Sequence, residues 1–108
     1  MTIPQLIEFI DTHNGHLITV NGMLHSDAEI SWLNEKSMTE EAQIVLQDSR
    51  IASLLLDAFP PCLGGSIAYC LKAILRGVVK YDHELGSITL NRIESVIVER
   101  NGVSHQLL

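Results

Sequence analysis

From residue 67 to residue 81 the odd positions read Ile, Tyr, Leu, Ala, Leu, Gly, Val, Tyr, while Lys72, Arg76 and Lys80 stand at even positions. Successive side chains of a strand point to opposite faces, so a period of two over fifteen residues predicts one long strand with an apolar inner face and a basic outer face. The same three basic residues are four apart and would also share a stripe of a helix. Gly77 and the adjacent β-branched Val78 and Val79 sit poorly in a helix interior, which favours the strand.

The rest of the chain supplies what such a strand needs as partners. Thr2 with Gln5 three residues on, and Pro4 in the first turn, reads as a capped helix start. Ile3, Leu6, Ile7 and Ile10 then mark one helical face, and Asn14-Gly15 is suited to a left-handed end. Ile18, Val20, Gly22 and Leu24 alternate with Thr19, Asn21 and Met23 in a strand whose glycine permits a bend. Ile30 and Trp32 alternate with Ser31 and Leu33 in a second strand, and Ile44 and Leu46 lie in a third. Asp48 or Ser49 can cap a short helix with Ile51, Leu54, Leu55 and Ala58 on one face, stopped by Pro60-Pro61. After the long strand, residues 82–86 form a turn. Ile88 and Leu90 open a last long strand whose alternation slips at Asn91-Arg92, predicting a bulge. Asn101-Gly102 then predicts a tight hairpin returning residues 103–107.

A mainly β (α+β) single domain follows, with residues 1–15 forming an N-terminal helix and residues 16–108 a barrel. A helix between the third and fourth of five strands is the plan of the OB barrel. At 108 residues one core is the expectation, and no apolar stretch approaches the length of a membrane span. With no basic region ahead of the first apolar residues, the N-terminus predicts no secretory signal and hence a cytoplasmic address, in which Cys62 and Cys70 stay reduced as small semi-buried packing residues.

The run from Gly22 to Glu99, with Pro60-Pro61, Gly64-Gly65, Tyr69, Gly77 and a closing Leu90-x-x-Ile93, resembles small bacterial OB-like proteins. Some of these are similar to immunity proteins of interbacterial toxin systems. The resemblance implies the fold and a protein-binding role, and it assigns no residue a function.

No motif of catalysis is expected. His13, His16, His25, His83 and His105 lack metal-ligand spacing, and Gly64-Gly65-Ser66 lacks the lysine of a phosphate loop. Neither cofactor nor metal is therefore predicted. Charge is uneven instead: residues 1–57 carry nine acids against two bases, a net of −7, and residues 58–108 carry a net of +1. A surface of that sign attracts basic partners. Asp27, Glu29, Glu35, Glu40 and Glu41 are the expected contact acids for a basic protein such as a toxin domain, with Asp82, His83 and Glu84 as a second contact at a hairpin tip. The alternative is a single-stranded nucleic-acid binder using Lys72, Arg76 and Lys80, with Trp32, Tyr69 and Tyr81 as stacking rings. Against it stand a net charge of −6 and the odd, inward positions of both tyrosines.

Overall fold

A computed structural model of the chain describes residues 1–26, 30–34, 43–59 and 69–108. Its elements are α1 (Ile3–Glu8), α2 (Ile10–His13), β1 (Leu17–Ser26), β2 (Ser31–Asn34), β3 (Ile44–Leu46), α3 (Arg50–Ala58), β4 (Tyr69–Asp82), β5 (Ser87–Arg100) and β6 (Val103–Gln106). Antiparallel β1 joins β2 and β4, β2 joins β3, and β4 joins β5, while β3 runs parallel to β5. That last pairing closes a five-stranded barrel with the OB order. β6 extends β5 beyond the point where β3 leaves it.

The long strand is present from Tyr69 onward, and its alternation holds. Ala73, Leu75, Gly77 and Val79 are buried, whereas Cys70, Lys72, Ile74, Arg76 and Lys80 are exposed. Cys70 is thus an exposed outer-face residue rather than the semi-buried one expected, because it falls on the even face. Cys62, Gly64, Gly65 and Ser66 lie outside the described residues. Val20, Leu24, Leu33, Ile44, Leu75, Val79, Leu90 and Val96 fill the barrel completely out of solvent, and Ile51 and Leu55 of α3 join the same core.

Two local departures have clear causes. The expected single N-terminal helix is broken at Phe9 (φ −117°, ψ 34°), which ends α1 and begins α2. The break packs Ile10 against the core and leaves Ile7 and Phe9 exposed. At the start, the predicted reciprocal cap is formed: Gln5 N–H donates to Thr2 Oγ1 and Thr2 N–H donates to Gln5 Oε1. In β2 the inward residues are Ser31 and Leu33, and Ile30 before it is exposed. Buried Ser31 shares a 2.8 Å hydrogen bond with buried Ser26 opposite it, so a polar pair occupies an inner position without an orphaned hydroxyl.

Glycine is required at two close approaches. A Cβ on Gly22 would stand 2.8 Å from Ile3 Cδ1 and 3.0 Å from Asn34 O, so α1 reaches the barrel only because that position is bare. A Cβ on Gly77 would stand 2.8 Å from Asn91 O. There the β4–β5 register jumps: Arg76 faces Ser95 and Val78 faces Asn91, which leaves three β5 residues opposite one glycine. Arg92 at φ +48° lies inside this bulge, at the predicted slip.

α3 is fastened at its start by Asp48 and Arg50. Arg50 backbone N–H donates to Asp48 Oδ1 at 2.9 Å, its guanidinium grips both carboxylate oxygens, and its Nη2 reaches Ile93 O at 3.3 Å. Hydrogen bonding from the Arg50 guanidinium holds the Asp48 carboxyl below its ordinary value, against a smaller opposing effect of burial. Ala58, expected on the buried face of this helix, is exposed.

Candidate functional site

The β4–β5 turn carries Asp82, His83 and Glu84, and their side chains take separate directions. Asp82 Oδ1 accepts the backbone N–H groups of Glu84 and Leu85 at 2.9 and 3.2 Å, the local bonding for which aspartate is favoured in turns. His83 Nε2 lies 2.9 Å from Asp11 Oδ1, which ties the tip to α2, and its ring meets Tyr81 edge-on with centroids 4.5 Å apart. Glu84 is exposed beside an open concavity that also involves Lys80, Ser87 and Thr89. Asp11 adds a further acid to this end of the molecule, a contribution that sequence separation hid because it stands 72 positions from His83.

Around the barrel from this tip runs the basic stripe of β4. The strand alternation does align Lys72, Arg76 and Lys80 on the outer face, and the neighbouring strand answers two of them with acid. Arg76 Nε is 2.8 Å from Glu94 Oε1, and Lys72 stands opposite Glu99 in the β4–β5 register. Lys80 stands opposite Thr89. An exposed pair such as Arg76–Glu94 adds little stability, and each acid beside the stripe lowers the positive potential that a phosphate backbone would meet there.

The proposed stacking rings are not brought together. Tyr69 donates its hydroxyl to the Phe59 carbonyl, and both it and Tyr81 pack against the core. Tyr81 N–H donates to Asn14 Oδ1 at 2.9 Å. Trp32 instead lies on the outer face, stacked on His25 with centroids 5.5 Å apart and 8° between planes. His25 is fixed there by a 2.8 Å hydrogen bond between Nε2 and Asn34 Oδ1.

A groove of about 340 Å³ crosses the outer face of β1, β4, β5 and β6, with Met23, Ile74 and Ile97 among its apolar lining and Lys72, Glu99 and Ser104 at its margin. Ile74 is 46% exposed. The sequence carried one sign of this groove, an isoleucine between two basic residues on the face assigned to solvent. The register that sets it beside Ile97 and one row from Met23 is not legible locally.

The contact acids Asp27, Glu29, Glu35, Glu40 and Glu41 lie outside the described residues. Among the described residues, no cluster of three or more His, Cys, Asp or Glu side chains is arranged to hold a metal ion, and no helix is long and apolar enough to cross a membrane. Compared with protein-family models, with curated proteins and with solved structures, the chain finds no match.

Proposed function

We propose that the chain is a non-enzymatic protein-binding domain of the immunity type, which occludes the basic cleft of a toxin with acidic surface. The observation that carries this reading is the acid set against the β4 stripe. Glu94 is ion-paired with Arg76 and Glu99 stands opposite Lys72, so two of the three bases of the stripe have an acid beside them on a chain of net charge −6. A cleft that cuts nucleic acid is positive, so an acidic domain mimics its substrate and gains association rate by steering. Glu84, Asp11 and the acids of residues 27–41 are the contacts of this account, with the resemblance to immunity-type OB proteins as its second support.

Reversing Glu40 and Glu41 to lysine tests it. The expected result is slower association with the basic partner and a flatter dependence of the on-rate on salt, with the melting temperature unchanged. An unaltered on-rate contradicts the acidic-face mechanism. The alternative, single-strand nucleic-acid binding through Lys72, Arg76 and Lys80, requires affinity that falls steeply with salt and is lost in Lys72→Glu with Arg76→Glu.

A further inference from the structure

β6 ends the sheet, and its second edge faces no strand among the described residues. Which of its backbone groups point outward follows from the hairpin. Asn101 and Gly102 both have positive φ, 54° and 77°, the signature of a two-residue type I′ turn, in which Arg100 and Val103 exchange backbone hydrogen bonds. Bonded and non-bonded pairs alternate along an antiparallel ladder, so Val98 and His105 form the next bonded pair. The 2.8 Å bond from Leu107 N–H to Val96 O continues the same parity. The N–H and C=O groups of Ser104 and Gln106 therefore all point away from β5, and both residues are exposed.

We propose that this edge pairs with the β6 edge of a second copy of the chain. Two outward-facing residues separated by one make the strand complementary to itself. In an antiparallel pairing centred on His105, Ser104 lies opposite Gln106 of the partner subunit and Gln106 opposite Ser104 of the partner subunit. Both are bonded pairs, so all eight outward backbone groups are satisfied by four hydrogen bonds. The register also gives an otherwise unexplained side chain a neighbour. Val103 is 56% exposed, and the same pairing sets it opposite Leu107 of the partner subunit at a non-bonded, close-packed position, twice over by symmetry.

β6 itself carries no Lys, Arg, Asp, Glu or proline, the residues that most often prevent strand addition. A foreign strand could use the same hydrogen bonds; a second copy is the occupant for which this sequence itself supplies both the alternate outward groups and an apolar neighbour for Val103, its own Leu107. Four hydrogen bonds and two apolar pairs make a small interface, so the dimer is weak and its population follows concentration.

Sedimentation velocity from about 5 to about 500 µM tests this by mass action. The expected mass rises from the 12.0 kDa of one chain toward twice that value. Amide exchange at Ser104 and Gln106 slows over the same range, while Val103 and His105, already bonded to β5, change little. Ser104→Pro removes one outward N–H without touching the β5 ladder, because proline is tolerated where its missing donor faces solvent. The variant is expected to stay at the monomer mass throughout. Should that proline disturb the fold, Ser104→Lys with Gln106→Lys keeps every backbone group and sets like charges opposite one another across the axis, again giving a monomer. A wild-type chain that remains monomeric over the whole range, including one whose edge takes a different protein's strand, overturns the proposal. So does a dimer that survives both variants.

Discussion

Glu94 stands on β5 with its Oε1 2.8 Å from the Nε of Arg76 on β4, and both side chains are about half exposed. An exposed pair adds little to stability, and this one sets an acid beside a base of the outer barrel face. Glu94→Ala is expected to change unfolding free energy by less than about 1 kcal/mol in urea titrations. Reversing Glu94 and Glu99 to lysine together uncovers the β4 stripe and moves the net charge from −6 to −2. That variant should retard a labelled single-stranded oligonucleotide at low salt where the wild type does not. Equal binding by both would mean that the acids do not screen the stripe.

Alanine at the two close-approach glycines should cost unequal amounts. At position 22 the nearest atom is the movable end of Ile3, followed by Asn34 O at 3.0 Å. At position 77 the nearest atom is the Asn91 carbonyl, held in a bulge. Gly22→Ala is expected to destabilise by about 1–2 kcal/mol and Gly77→Ala by about 3 kcal/mol or more, as overpacking against backbone that cannot move aside. Chemical denaturation checks the order, and the reverse order contradicts the bulge geometry.

Leu75 is completely buried on the inner face of β4. Leu75→Ala should cost about 2–4 kcal/mol as a cavity in the barrel. Hydrogen exchange should in parallel find its deepest protection between Ala73 and Val79. A cost under about 0.5 kcal/mol would place that side chain at the surface.

Acid should loosen the entry to α3. The Asp48 carboxyl is held below its ordinary value by the Arg50 guanidinium, so the folded state binds its proton less readily than the unfolded one. Its contribution is therefore present above the unfolded-state value, near pH 4, and lost as pH falls through the lowered folded value. Asp48→Asn should lower stability at neutral pH and flatten the fall in melting temperature below about pH 4. A variant with the wild-type acid limb would show that the pair carries no linkage.

The strand alternation, the reciprocal Thr2–Gln5 cap, the slip at Asn91-Arg92 and the Asn-Gly hairpin were legible because each is a local preference written within a few residues. The phase of β2 was not. Its inner face buries Ser31, and its largest ring, Trp32, lies outside on His25, so apolarity did not mark the inside. The closure of β3 onto β5 and the approach of Asp11 to His83 join residues more than forty positions apart, and nothing near either partner records the other. Of the candidate site, the alignment of Lys72, Arg76 and Lys80 could be read from spacing. Their partners Glu94 and Glu99 could not, because the two-residue excess in the bulge sets which acid meets which base.

Binding of a basic protein, and not of nucleic acid, is tested by capture from nuclease-treated lysate of the cell of origin on immobilised wild-type chain and, in parallel, on a chain with Glu40, Glu41 and Glu84 changed to lysine. The expected result is a basic protein that wild type retains at low salt, that releases as salt rises, and that the variant retains about tenfold less. Equal retention by both chains, or capture of single-stranded nucleic acid from an untreated lysate with no basic protein recovered, would contradict it.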